Sequence, residues 1–183
     1  MGIRTVRTEG DECLRKVCKP VKSVSLRTRI LIEDMFDTMY ESGGVGLAAP
    51  QIGVLKRIVV MDTDDNQHVL INPQILEVSG EQTGYEGCLS IPGKSGIVTR
   101  PDYVKVKALN ERGEEYILEG EGLLARCICH ECDHLDGILY SDKAEGGLIN
   151  NEDLPEDEEE ELYEDAYEEF TEEEIHKLSL IHI

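Results

Sequence analysis

Two histidines and a glutamate at helical spacing are the residues in this chain best placed to do chemistry. His130, Glu131 and His134 stand inside Cys127-Ile128-Cys129-His130-Glu131-Cys132-Asp133-His134-Leu135-Asp136-Gly137. On an α-helix, residues four apart share a face about one turn apart, so His130 and His134 can offer two imidazole nitrogens to one metal ion. Glu131, one step round, then lies beside that ion, where a carboxylate can handle the protons of a bound water. A hydrogen-bonded histidine pair in a core has the same spacing, so the helix alone leaves both readings open.

A catalytic metal centre generally takes three protein ligands and keeps one position open. The best candidate for the third is Cys88, a single thiol within the loop Tyr85 to Gly96, which contains Glu86-Gly87-Cys88-Leu89-Ser90-Ile91-Pro92-Gly93. Cys127 competes, being on the face of the two histidines, although a small buried thiol serves equally as a hydrophobic wall. Cys129 and Cys132 fall on a different face and read as packing residues. A metalloprotease shares the histidine pattern but needs its third ligand downstream, where His176 and His182 are the only histidines. A second unusual stretch, Gly44-Val45-Gly46-Leu47-Ala48-Ala49-Pro50-Gln51-Ile52-Gly53, is small enough for its backbone to approach a ligand closely. It lacks the Lys-Ser/Thr ending of a phosphate-binding loop, and a plain helix-to-strand connection accounts for it as well.

The elements that must position these residues follow from pattern. Asp11 caps a brief helix through Cys18, and Pro20 ends it. Ser25 caps a long helix over Leu26 to Glu41, with Leu26, Ile30, Ile32, Met35, Phe36 and Met39 as its apolar side. Arg57 to Asp62 is a short buried strand. Val69 to Ile71 is a second, closed by Asn72-Pro73, and Gln74 to Gly80 another. Ile97 to Arg100 and Tyr103 to Asn110 alternate as strands, and Arg112-Gly113 turns the chain into Glu114 to Glu119. Gly120 and Gly122 precede the histidine-bearing helix, which ends at Gly137. This order predicts an α+β fold, antiparallel sheets packed around a central metal-binding helix, with an acidic C-terminal extension.

Charge is unevenly spread. The chain carries −21 in all, and residues 151–183 hold 15 acids against one base, Lys177. Such a balance disfavours sequence-general DNA or RNA binding. No run of about 18 apolar residues indicates a membrane span. The opening residues lack an apolar signal core, so the six cysteines are expected as reduced thiols in a cytoplasmic chain. Gly146-Gly147 and Pro155 read as a hinge, separating a body over residues 1–145 from a tail over 146–183 that is partly helical or disordered. In that tail Leu162, Ala166 and Phe170 permit a narrow amphipathic helix, and Thr171 with Glu174 forms a capping-box pattern. The closing Leu-Ser-Leu-Ile-His-Ile departs from the preceding composition and is assigned no function.

Taken together, three separated motifs resemble those of the peptide deformylases: Gly44-Val45-Gly46-Leu47-Ala48-Ala49-Pro50-Gln51, Glu86-Gly87-Cys88-Leu89-Ser90, and His130-Glu131-Cys132-Asp133-His134. The resemblance runs from about Thr8 to Asp142. It implies Cys88, His130 and His134 as metal ligands and Glu131 as general acid/base. It implies the Gln51 amide and the Leu89 N–H as oxyanion donors. Gly44, Val45, Gly46 and Gly87 would line the peptide, and Leu124, Cys127 and Ile128 are candidates for the methionine slot. The implied metal is Fe2+, with Zn2+ or Ni2+ able to replace it. The implied substrates are N-formyl-methionyl nascent peptides, and the products formate and a free amino terminus. Two departures stand out. Cys129 occupies a position where the family commonly has Gln. The acidic C-terminus replaces the basic helix by which some relatives dock on the ribosome, so ribosome association through this end is not expected.

Overall fold

The computed structural model of the chain describes residues 2–155. Helix α1 (Leu26–Glu41) begins where the sequence places it. Ser25 Oγ accepts from the Thr28 N–H at 3.3 Å, and Thr28 Oγ1 accepts in return from the Ser25 N–H at 3.4 Å, so two otherwise orphaned donors are satisfied reciprocally. The inner face is narrower than expected. Ile32, Met35 and Met39 are buried, whereas Leu26 and Ile30 are exposed. Ile30 lies about 160° round the helix from Ile32, since each residue turns the chain by about 100°. The brief helix after Asp11 is also shorter than expected, a single turn over Glu12–Arg15.

Eight strands follow: β1 (Gly46–Ala48), β2 (Ile58–Thr63), β3 (Asn66–Ser79), β4 (Gln82–Cys88), β5 (Ile91–Arg100), β6 (Tyr103–Leu109), β7 (Glu115–Glu121) and, after helix α2 (Gly122–Leu135), β8 (Glu145–Asn150). They form two antiparallel sheets, one in the order β1-β2-β3-β6-β7 and the other β4-β5-β8. The residues of β2 face alternately up and down, and both sides are covered. Val59 and Met61 pack with Cys127, Ile128 and Leu135 of α2, while Ile58 and Val60 pack with Ile32, Met35 and Met39 of α1. That is why Arg57 to Asp62 reads as a continuous apolar run. Helix α2 touches β1, β2, β6 and β7 of the first sheet and β5 of the second.

The strands also depart from the sequence reading. The strands expected on either side of Asn72-Pro73 are one strand, β3. Its register shifts between Ile71 and Gln74, and Asn72 sits at φ 52. A bulge there accommodates a proline that has no N–H to give the ladder, and the Asn72 side chain bonds both the N–H and the C=O of Val21 at 2.8 Å. The expected loop Tyr85 to Gly96 is instead a hairpin, with β4 running to Cys88 and β5 starting at Ile91. Its glycines and Pro92 mask the strands, and they coincide with a break in register between Glu86 and Cys88. Finally, Gly146 and Gly147, read as a hinge, lie in β8, which pairs with β5 from Lys94↔Asn150 to Ile97↔Glu145.

The amphipathic segment at Leu162, Ala166 and Phe170, the capping pattern at Thr171 and both downstream histidines lie outside the described residues. Among the described residues, no helix is long and apolar enough to cross a membrane.

Candidate active site

Helix α2 ends in a motif that sets the height of its last turn. The Ile138 N–H bonds the Asp133 carbonyl at 3.0 Å and the Gly137 N–H bonds that of His134 at 3.2 Å, a paired closure that needs a left-handed residue. Gly137 supplies it at φ 74, and a Cβ there would meet the Arg15 carbonyl oxygen at 2.5 Å. Helix α2 is buried along Ala125 to Cys132, and with it Arg126, His130, Glu131 and His134. Burying so many polar groups is costly unless each finds a partner.

The hairpin tip brings the thiol to the histidines. Cys88 Sγ is 3.3 Å from His134 Nε2, and Cys88, His130 and His134 each place a ligand atom within 4.8 Å of the other two. Ligand distances of about 2.0–2.3 Å around one tetrahedral ion put donor atoms about 3.5 Å apart. The buried atoms His130 Nε2, His134 Nδ1 and both Glu131 carboxylate oxygens have no hydrogen-bond partner among the described residues. A cation between Cys88 and the histidines would satisfy His130 Nε2 and lie beside Glu131. Burial pushes the Cys88 thiol up to about 12 and His134 well below its ordinary value. The second leaves a neutral imidazole able to ligate, and the first means that metal binding and thiol deprotonation must occur together. The donor set fits a metal ion. Burial, followed by the nearby Glu86 charge, pushes Glu131 well above the usual carboxylate range.

Around these residues stands a shell of buried charge that the sequence reading passed over. Glu86 accepts from His130 Nδ1 at 2.9 Å, from Arg100 Nε and Nη2 at 2.8 and 3.0 Å, and from Arg126 Nη1 at 2.7 Å. Burial alone would raise its carboxyl, but the hydrogen bonds from His130 and Arg100 hold it well below the usual range. The bond from Nδ1 leaves Nε2 of His130 to face Cys88 and His134, the usual way a carboxylate sets a ligating imidazole. Arg100 also reaches Asp133 at 2.6 Å, and Lys143 closes on the same carboxylate at 2.8 Å. Tyr140 stacks on His130 at 5.9 Å between ring centres. The signal available for Arg100 was its place on β5 two residues after buried Val98, which turns it inward; Glu86 stood in a quoted motif without a role.

Of the remaining expected residues, Gln51 and Gly46 reach this centre. Gln51 is buried in a short turn after β1. Its Oε1 accepts from the Ala48 N–H at 2.9 Å, so its amide nitrogen faces Ser90 Oγ at 3.1 Å and Cys88 Sγ at 3.6 Å. Leu89 is the buried residue immediately after Cys88 at the hairpin tip, and Gly87 lies at the register break. Gly44 and Val45 lead into β1, the Val45 carbonyl accepting from the Asp62 N–H at 2.8 Å. A Cβ on Gly46 would stand 2.5 Å from a Glu131 oxygen and 2.9 Å from Cys127 Sγ, so the β1 backbone rests directly on the carboxylate. Cys127, Cys129 and Cys132 are buried in the apolar cluster between α2 and the larger sheet. Leu124 packs at the edge of that cluster and Ile128 within it.

A buried thiol on the hairpin and two imidazoles on a His-Glu-x-x-His helix form a group that could hold a metal ion. The polypeptide deformylase family model matches residues 3–147. A peptide deformylase of Agathobacter rectalis is 61% identical over 148 residues, covering 81% of this chain and 94% of that protein. Peptide deformylase 1 of Clostridium acetobutylicum is 58% identical over 143 residues, covering 78% and 95%. Among solved structures, the peptide deformylase of Thermotoga maritima superposes with a TM-score of 0.78 at 42% identity, covering 79% of this chain and 99% of that one. The Legionella pneumophila enzyme gives 0.76 at 47%, covering 79% and 88%. The chain belongs to the peptide deformylase family, metal-dependent enzymes that remove the N-terminal formyl group from nascent proteins.

Proposed function

We propose that this chain hydrolyses the formyl amide of N-formyl-methionyl peptides at a metal held by Cys88, His130 and His134. The observation that carries the proposal is the convergence of those three buried donors beside a buried glutamate that has no hydrogen-bond partner among the described residues. A thiolate with two imidazoles suits Fe2+, Zn2+ or Ni2+, and the family resemblance favours Fe2+. When bound, the ion supplies Lewis acidity toward water and toward the formyl oxygen.

The protein groups do the rest. Glu131 takes a proton from the attacking water and returns it to the departing amine, a role open to a buried carboxylate whose two oxygens have no other hydrogen-bond partner among the described residues. Gln51 turns its amide N–H toward the centre because Ala48 fixes the other end, and with the Leu89 N–H it meets the negative charge that grows on the formyl oxygen. β1 is the edge strand of its sheet, so peptide backbone can pair alongside Gly44, Val45 and Gly46, with Gly87 opposite, while Leu124, Cys127 and Ile128 wall the methionine slot. Strand pairing reads backbone rather than side chains, which suits a substrate class as broad as all nascent proteins. The enzyme is assigned to the cytoplasm. Residues 151–183, with 15 acids against one base, would repel RNA phosphates, so any ribosome contact uses another surface.

The test is formate release from formyl-Met-Ala-Ser by protein purified without oxygen, with metal content measured on the same sample. Activity with Fe2+ or Ni2+ is expected, and Glu131→Ala is expected to abolish it. Full activity in that variant, or none in the metal-loaded wild type, refutes the proposal.

A further inference from the structure

Two separate pieces of the chain must meet to make the centre: the β4–β5 hairpin carries Cys88, and α2 carries His130 and His134. We propose that Arg126 is a positioning residue that fastens one to the other. The inference rests on the metal reading of Cys88, His130 and His134.

Arg126 lies on α2 one turn before His130 and is 6% exposed. Its guanidinium crosses to the hairpin at three points. Nη1 donates to Glu86 Oε1 at 2.7 Å and to the Val98 carbonyl at 3.1 Å, and Nη2 donates to the Gln82 carbonyl at 3.3 Å. Gln82 and Glu86 belong to β4 and Val98 to β5, so one side chain holds both strands. Gly84 sits between the two β4 contacts, and a Cβ there would come within 3.6 Å of Nη2. Residues i and i+4 of the helix, Arg126 and His130, thus grip the two oxygens of one carboxylate that stands two residues from Cys88. Arg100 ties the same parts differently. It starts on the hairpin, and its bond to Glu86 stays within the hairpin; only its bond to Asp133 reaches α2.

A planar guanidinium makes these bonds in a fixed fork, so Arg126 sets the angle at which the hairpin meets the helix as well as their distance. A metal ion shared by Cys88 and the histidines draws on the same juxtaposition. Holding the two pieces in place before metal arrives reduces the ordering that binding must otherwise impose. Arg126 is therefore coupled to metal affinity without touching a ligand.

The experiment uses the full chain and Co2+ as the probe, titrated without oxygen against a competing chelator. The thiolate-to-Co2+ absorption band reports whether Cys88 ligates. Arg126→Met, which keeps much of the volume, is expected to bind Co2+ about 10- to 100-fold more weakly and to release it faster, with the thiolate band recovered at saturation. Arg126→Lys, which keeps the charge but not the fork, is expected to fold as wild type and to fall between the two. Melting of the metal-free proteins separates this from a merely structural role, in which the midpoint drops while Co2+ affinity does not. Co2+ affinity within twofold of wild type in folded Arg126→Met, or an Arg126→Lys affinity below that of Arg126→Met, overturns the proposal. Absence of a thiolate band in the wild type, or its persistence in Cys88→Ser, overturns instead the metal reading on which it stands.

Discussion

Two hairpins of similar length are built on opposite plans. β6 and β7 pair seven residues each without interruption, from Tyr103↔Glu121 to Leu109↔Glu115. Val104, Val106 and Ala108 point into the core, and the charged residues between them face water, with Lys105 and Lys107 3.8 and 3.9 Å from Glu119 and Glu115. β4 and β5 lose register between Glu86 and Cys88 and turn Glu86 and Arg100 inward, where both are almost wholly buried. Regular alternation is the arrangement that stabilises a half-buried sheet. The irregular hairpin gives that up at its tip, and there it presents a thiol to the histidines and a carboxylate to His130.

The largest way to break the contrast is Glu86→Ala. It would strand the buried Arg100 and Arg126 guanidiniums, and removing one partner from a buried ionic cluster costs about 3–5 kcal/mol. Urea unfolding of the metal-free protein should show a loss of that order, together with loss of formate release; a loss under about 1 kcal/mol would mean that the inward charges matter no more than outward ones.

Gly46→Ala tests whether the site tolerates crowding from the β1 side. Its Cβ would sit 2.5 Å from a Glu131 oxygen, so the strand or the carboxylate must shift. Displacements near 1 Å can cost about 100-fold in rate. A fall of that size in kcat/KM is expected, with Cys88 ligation retained in the Co2+ spectrum.

An intermediate case is Asp34 on α1, buried but paired with the half-exposed Arg4. The hydrogen bond from Arg4, opposed by burial and assisted by the Gly2 N–H, holds its carboxyl below the ordinary 3.8. A depressed folded value means that its stabilisation is complete above 3.8 and is lost as pH falls through the folded value. Thermal midpoints followed downward from pH 5 should therefore decline more steeply for wild type than for Asp34→Asn, and parallel curves would remove this assignment.

At the small end stands Lys107→Ala on the regular hairpin. An exposed pair at this distance contributes less than about 0.5 kcal/mol, and a larger change in the urea midpoint would show that even the outward charges of β6–β7 carry structure.

Residues within one turn of each other settled much on their own. The cap at Ser25, the Gly137 stop and the facing of His130 and His134 all depend on neighbours three or four positions apart, and the structure repeats them; the return bond to Thr28 was not read. Cys88 was singled out by residue type and by a motif, without its position being known. What the sequence could not show is that its sulfur lies 3.3 Å from His134, 46 residues on. Nor could it show the strands within Tyr85 to Gly96, whose glycines and Pro92 mask them, or the joining of β3 through Asn72, which is completed by pairing with the distant β6. Glu86, Arg100 and Arg126 were hidden for the same reason. A charged residue considered alone belongs in water, and only partners from other elements, 14 and 40 positions away for Glu86, make its burial possible. The sequence by itself determined the chemical groups and their local facing. The tertiary structure decided which distant groups share one dry enclosure, because the cost of burying a charge is set by what else is buried beside it.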